Sequence, residues 1–231
     1  MAAGPCLLGV VLVGLSACGI ESYAYMTAPS IGGYFSSLTP EAKFYHYGAN
    51  VEDASIFRGY QLYYKFYSID TTPVSSLDEY SELSTYGFTR VYTSEDSDSS
   101  SPSMSSIYNV LVEPEVADRE KNFTVYISFW NLTGDDEPSL TISSTDSSFT
   151  SSKTIELRRY VTYSDSALYT GYCKSFHDIV SGDADISTSI YASYISKGTV
   201  YIAFYAVAYG IQDLTTAVYS DPVWLGYLQW D

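Results

Sequence analysis

The chain has 231 residues and a formal net charge of −16. A charge of that sign and size repels phosphate backbones and argues against nucleic acid as a partner. Tyrosine alone supplies 25 residues and aromatics 16% of the chain; disordered chains are poor in aromatics, so the acidity belongs to a folded surface, and the aromatic and β-branched bias predicts an all-β fold.

At the N-terminus, Cys6 to Ala17 reads CLLGVVLVGLSA, an unbroken run of small and apolar side chains. It fits the roughly 7–15-residue apolar core of a secretory signal and falls short of the ~20 residues that span a bilayer. The preceding MAAGP carries no Lys or Arg, which departs from the usual signal. Leu15-Ser16-Ala17-Cys18 closes the run and resembles the lipobox of bacterial lipoproteins. That resemblance implies that residues 1–17 are a signal peptide cut away before Cys18. The Cys18 sulfur would then carry a diacylglycerol thioether, and its freed amine a fatty acid such as palmitate. Each buried CH₂ contributes roughly 0.8 kcal/mol, so two or more chains anchor stably where one holds marginally. The alternatives for the same residues are a plain secretory signal or a buried first helix. Three cysteines occur, Cys6, Cys18 and Cys173. With Cys6 removed and Cys18 lipidated, Cys173 has no partner in the mature chain and is expected to pack as a small apolar side chain.

Residues 19 to about 38 are rich in Gly, Ser and Ala without a helical period and read as the tether that follows Cys18, so residues 18–38 precede a β domain over 39–231. Period-two alternation then marks strands. The first is 42–47, and the clearest is FRGYQLYYKFYS over 57–68, with Tyr60, Leu62, Tyr64 and Phe66 on one face and Gln61, Tyr63, Lys65 and Tyr67 on the other. A turn or two of helix is predicted over 75–83, then strands over 86–92 and 107–112, separated by the polar run SEDSDSSSPSMSS. In NFTVYISFW, residues 122–130, Phe123, Val125, Ile127 and Phe129 oppose Thr124, Tyr126, Ser128 and Trp130. The loop NLTGDDEPS leads to strands at 139–143 and 154–163, and 168–179 is read as a short helix. GTVYIAFYAVAYG, residues 198–210, and a last strand within 217–228 close the chain. Many short strands with such separators predict a sandwich.

RGYQLYYKFYS resembles the C strand of fibronectin type III domains, and YIAFYAVAYG with YSDPVWLGYL resembles that family's F and G strands, the last opening on Ser220-Asp221-Pro222-Val223. The resemblance implies an immunoglobulin/fibronectin-III-like β-sandwich. About a quarter of the chain carries it, and the intervening stretch, about 70–198, is far longer than in the family. It implies either one sandwich with a large β insertion or two sandwiches exchanging strands. The combination of Cys18-Gly19-Ile20, Gly59 to Tyr67 and Ser220 to Tyr227 also resembles lipoproteins of unknown function from spirochaetes, treponemes especially. That likeness implies an address in the cell envelope, periplasmic or surface-exposed, and no particular activity.

Catalytic anchors are sparse. The histidines are His46 and His177, and only Cys173 and His177 stand at a suggestive spacing, which does not make a metal site or a nucleophile pair. Neither a G-x-S-x-G elbow nor a Gly-rich phosphate loop occurs. Loop acids at Asp96-x-Asp98-x-Ser100, Asp183-x-Asp185 and Asp135-Asp136-Glu137 invite calcium, but none completes an EF-hand pattern, and they are expected to keep loops in water. Neither a cofactor nor a metal is therefore expected. The tyrosine-lined strand faces have two readings: half-buried packing with hydroxyls at water, or a binding face for a protein or glycan. The expectation is a non-enzymatic envelope protein held to the membrane through the Cys18 lipid, with a protein or glycan partner. A glycan hydrolase with a carboxylate pair and a surface coat protein without a specific ligand are the alternatives.

Overall fold

The computed structural model describes residues 26–36, 39–51, 54–93, 111–129, 137–162 and 171–230. Cys18 and the apolar run before it lie outside them. The described residues form an all-β sandwich of two antiparallel sheets.

The first sheet holds β1 (Ser30–Gly33), β2 (Glu41–His46), β6 (Phe123–Ser128), β7 (Ser139–Ser143) and β8 (Lys153–Thr162) in that order, with β5 (Tyr92–Thr93) and β9 (Gly171–Lys174) also paired to β8. The second is built on β10 (Val200–Gln212), flanked along its length by β3 (Phe57–Ser68) on one side. On the other side β12 (Val223–Trp230) and then β11 (Thr216–Tyr219) share its edge, and β4 (Thr89–Arg90) pairs with β3. The strands resembling C, F and G are thus neighbours in the order β3-β10-β12. The stretch 70–198 is not an appendage: β5 to β9 come from it and make most of the opposing sheet. Residues 89–93 pass from one sheet to the other, with Val91 buried between β4 and β5. Strand β1 and buried Phe35, which bridges to Gly226 of β12, fall inside the stretch read as a tether, so the fold takes in residues 30–35.

Alternation explains which layer each strand joins. In β2 and β6, Ala42, Phe44, His46, Phe123, Val125 and Ile127 are buried while the residues between them are open to varying degrees. Such strands cover a core on one face only. Strands β3 and β10 are buried on almost every residue, as strands covered on both faces must be. Between the sheets, Phe129 meets Phe204 and Trp230 at ring separations of 5.1 and 5.4 Å, and Phe44 meets Tyr60 at 5.0 Å. On the outer face of β3 and β10, residues 69–88 fold back with helix α1 (Tyr80–Thr85), and Leu77, Leu83 and Phe88 cover Tyr63, Tyr67, Tyr205 and Val207. Leucine and phenylalanine side chains pack on these tyrosines, and the hydroxyls of Tyr63 and Tyr205 meet Gln61 and the Val74 carbonyl rather than the water expected of half-buried tyrosines.

Three local predictions differ from the structure. Helix is expected over 168–179, but Gly171–Lys174 is a strand, drawn into register against β8 from Arg159↔Lys174 to Thr162↔Gly171. Pairing satisfies these backbone groups where a weakly patterned helix would bury little. Helix α2 (Thr188–Lys197) was not predicted; its β-branched and Ser-rich sequence has low propensity and it buries no residue fully. Its ends are nonetheless marked, by Ser187, whose Oγ accepts the Ile190 N–H at 3.3 Å, and by Gly198 at φ 73°. The last predicted strand is two, β11 and β12, separated at Ser220–Pro222, where Pro222 has no N–H to give a ladder.

Candidate functional site

Among the described residues, no segment like 69–88 covers the face of the first sheet turned away from the core. In Lys43-Phe44-Tyr45-His46-Tyr47 the pleat sends Phe44 and His46 inward and Tyr45 and Tyr47 outward. Tyr126 of β6 points the same way. Tyr47 and Tyr126 are 43% and 45% exposed, high for aromatic side chains on an ordered strand pair. The Tyr45 ring comes close to β1 at Gly32, where a Cβ would meet the ring at 2.5 Å. Tyr45 and Tyr47 are 6.1 Å apart between ring centres. Together with Tyr126 they border an open depression of about 330 Å³, whose remaining walls include Asn122, Thr124 and Ser143. Among the described residues no Asp, Glu, Lys or Arg lines it, although the chain carries 27 acids and 11 bases; the cation on the same face is Lys43, whose Nζ lies 5.9 Å from the centre of the Tyr45 ring.

Behind the tyrosines, the His46 side chain packs into the core from the same strand. Its imidazole lies between Phe123 at 4.2 Å and Phe57 at 5.0 Å, nearly parallel to both. Nε2 is 2.8 Å from the Arg119 carbonyl, which can only accept, so Nε2 carries the proton. Nδ1, 2.7 Å from the Tyr60 hydroxyl, therefore accepts from it. Burial outweighs the bond to Arg119 and lowers the His46 pKa to about 4, so the ring is neutral at pH 7. The core behind the depression is thus uncharged at this residue. Asn122 Oδ1 accepts the Gly48 N–H at 3.0 Å, which holds the amide against the turn that carries Tyr47.

The other polar clusters are closed. Asp183 and Asp185, read from sequence as loop acids, are buried against Arg159 and Lys174. Arg159 reaches Asp183 at 3.0 Å and Asp185 at 2.9 Å, Lys174 reaches Asp183 at 3.0 Å, and the Tyr64 hydroxyl donates to Asp185 at 2.7 Å. Two cations on two carboxylates leave no charge for calcium; these residues pin the 175–186 loop to β8. Asp118 is equally occupied. Its Oδ2 accepts from the backbone and hydroxyl of both Thr150 and Ser151, and Oδ1 from Lys121 at 2.7 Å. Burial alone would raise its pKa, but these bonds outweigh it and hold the carboxyl well below the usual range. Glu137 accepts from Arg158 at 2.9 Å. Cys173 is half-buried on β9, and His177 rests against Trp230 at 4.6 Å. Among the described residues no group of three His, Cys, Asp or Glu is placed to hold a metal. Asp96, Asp98, Ser100, Asp135 and Asp136 lie outside the described residues, as does Cys18.

Sequence reasoning placed Tyr126 on an outward face but passed over Tyr45 and Tyr47. The signal was there in the alternation of KFYHY, whose even partners are Phe and His. No family model matches the chain, and neither does any curated protein or solved structure.

Proposed function

We propose that this is a lipid-anchored, non-enzymatic protein of the bacterial cell envelope that binds a neutral glycan on the open face of its first sheet. The observation that carries the reading is the uncharged depression bordered by Tyr45, Tyr47 and Tyr126 in a strongly acidic chain. Tyrosine rings offer apolar faces to sugar C–H groups with a hydroxyl at the rim, and Asn122, Thr124 and Ser143 supply donors and acceptors without charge. A charged ligand would find no counter-ion in the described lining, where Lys43 is engaged over the Tyr45 ring, and a polyanion would meet the −16 field of the chain. Hydrolysis of a glycan would need two carboxylates facing its linkage, and the depression has none. The anchor rests on Leu15-Ser16-Ala17-Cys18, and no helix among the described residues is long and apolar enough to cross a membrane.

The test is a glycan array holding neutral, acidic and sulfated oligosaccharides, probed with residues 19–231 and followed by titration calorimetry on the hits. Binding confined to neutral glycans, and weakened at least tenfold in Tyr47→Ala and Tyr126→Ala with circular dichroism unchanged, is the expected result. Binding that both variants retain, or binding only to acidic glycans, overturns it. For the anchor, Cys18→Ala is expected to move the protein from the detergent phase to the aqueous phase in cells; an unchanged partition overturns the lipid.

A further inference from the structure

Tyr80 and Tyr219 lie face to face. Their ring centres are 3.7 Å apart and their planes differ by 4°, the closest ring contact among the described residues. Aromatic pairs prefer offset or edge-on contact to a face-to-face sandwich. Other tyrosine pairs of this chain follow that preference: Tyr201 with Tyr227 at 5.0 Å and 68°, Tyr209 with Tyr219 at 5.4 Å and 47°, and Tyr45 with Tyr47 at 6.1 Å and 39°. A separation of 3.7 Å is the contact distance of two carbon atoms, so the parallel rings overlap almost fully and each carbon of one faces a carbon of the other.

The backbone fixes both rings. Tyr80 opens α1, where Glu79 and Glu82 close a capping box. Tyr219 ends β11 in register with Tyr209, and the next residue is tied to β10 by the Ser220 N–H, which donates to the Ala208 carbonyl at 3.0 Å. The stack thus joins the covering segment 69–88 to the edge of the second sheet, between positions far apart in the chain. The hydroxyls gather at one end of it. Those of Tyr63 and Tyr80 are 2.9 Å apart, and the Tyr219 hydroxyl is close enough to both for their ionised forms to repel. Tyr63 gives its proton to Gln61 Oε1 at 2.7 Å, so between Tyr63 and Tyr80 the Tyr80 hydroxyl donates. With the hydroxyls at one end, the carbons ortho to them face each other across the stack. Tyr80 and Tyr219 are both half-buried, so each keeps some contact with solvent.

We propose that Tyr80 and Tyr219 are a site of oxidative cross-linking, joined as dityrosine by a one-electron oxidant that draws on hydrogen peroxide. Each phenol loses one electron and its hydroxyl proton. The two radicals pair in a new carbon–carbon bond between the ring carbons ortho to the hydroxyls. The hydrogens on those carbons leave as protons, the two oxygens take up a proton each, and both rings are aromatic again. The net loss is two electrons and two protons, which convert one hydrogen peroxide to two waters. The product staples segment 69–88 to the sheet as a disulfide would, restricting the unfolded chain over a long loop. The site is separate from the tyrosine face of the first sheet and does not depend on glycan binding there.

The experiment exposes residues 19–231, dilute enough for size exclusion to recover mostly monomer, to photo-oxidised tris-bipyridyl ruthenium with persulfate, itself a peroxide. In the monomer fraction the expected result is a loss of two hydrogen masses, dityrosine fluorescence, and a proteolytic peptide pair joined between Tyr80 and Tyr219. The melting temperature of that fraction should rise by about several degrees. Tyr219→Phe keeps the ring and removes one hydroxyl. It should cut the cross-link yield in the monomer at least tenfold with circular dichroism unchanged, and Tyr201→Phe should leave the yield as it is. Tyr80→Phe repeats the test from the other ring if Tyr219→Phe does not fold. A monomer without dityrosine overturns the proposal, as does a cross-link that maps to other tyrosines or persists in both phenylalanine variants at positions 80 and 219. A cross-linked monomer that melts no higher overturns the staple.

Discussion

His46, buried behind the tyrosine face, couples stability to pH. Unfolded, its imidazole titrates near the ordinary 6.5; folded, burial between Phe57 and Phe123 lowers this to about 4. Between those values the unfolded chain binds more protons, so stability must fall as pH drops through the window and level off below it. The 2.5-unit gap is worth about 3 kcal/mol. Urea midpoints at pH 7, 5.5 and 4 should therefore fall in sequence, and His46→Gln, less stable at pH 7, should lose most of that slope. Asp118 acts lower down. Its carboxyl is held below its ordinary 3.8, so its contribution is complete above that value and is lost only as pH falls beneath it. A midpoint that stays flat from pH 7 to 4 in the parent would rule out the buried neutral imidazole. Arg159 gives a second residue-scale prediction. Asp183→Asn leaves a buried guanidinium and Lys174 short of a carboxylate, and breaking a buried pair from one side costs about 3–5 kcal/mol. Chemical denaturation of that variant would show the midpoint falling; a loss below about 1 kcal/mol would mean that the cluster is hydrated rather than closed.

Helix α2 shows how an element can be fixed by its ends. It buries no residue fully, so its stability leans on Ser187 at one terminus and on left-handed Gly198 at the other, where the Gly198 N–H meets the Tyr194 carbonyl at 2.7 Å. A Cβ at Gly198 would meet nothing within 4 Å, so Gly198→Ala tests conformation alone. A loss of about 1 kcal/mol is expected from the positive φ, read as a lower urea midpoint with an unchanged slope. Both signals are visible in the sequence, but the interior STSIYASYISK argues against a helix on propensity. Strands were easier to read. Residues 57–68 and 139–143 were predicted with the boundaries they have, because alternation or an apolar run between turn residues depends on the segment alone. The covering of β3 and β10 by residues 69–88 could not be read, since nothing local to Tyr63 or Tyr205 states what lies above it. The same holds for the site. Tyr45, Tyr47 and Tyr126 point outward by their own strand periodicity, but that they border one uncharged depression follows from the β2–β6 pairing, Lys43↔Tyr126 among its registers. Asp183 and Asp185 were legible as alternate acids; their counter-ions, Arg159 and Lys174, come from two other strands.

At the scale of the whole molecule, two kinds of charge respond oppositely to salt. Residues 1–17 contain no Asp, Glu, Lys or Arg, so removal of that segment leaves the side-chain charge at −16. Charge of one sign spread over the surface repels itself and favours expansion, and salt at about 0.15 M screens it over a Debye length of about 8 Å. The attractive pairs that matter to the fold, Arg159 with Asp183 and Asp185 and Lys174 with Asp183, are buried and are screened far less. Surface pairs such as Lys197 with Asp70 contribute little at any ionic strength. Repulsion therefore outweighs pairing among the terms that salt can reach, and the melting temperature should rise by a few degrees between about 10 and 200 mM sodium chloride. The rise should saturate near the upper value as the Debye length falls below the spacing of surface acids. The same titration should leave neutral glycan binding at the tyrosine face nearly unchanged, because no described residue lining that depression carries charge at pH 7. A melting temperature that falls with salt would place the dominant electrostatics in exposed ion pairs, and a glycan affinity that falls with salt would place a charge in the depression that the arrangement of Tyr45, Tyr47 and Tyr126 does not contain.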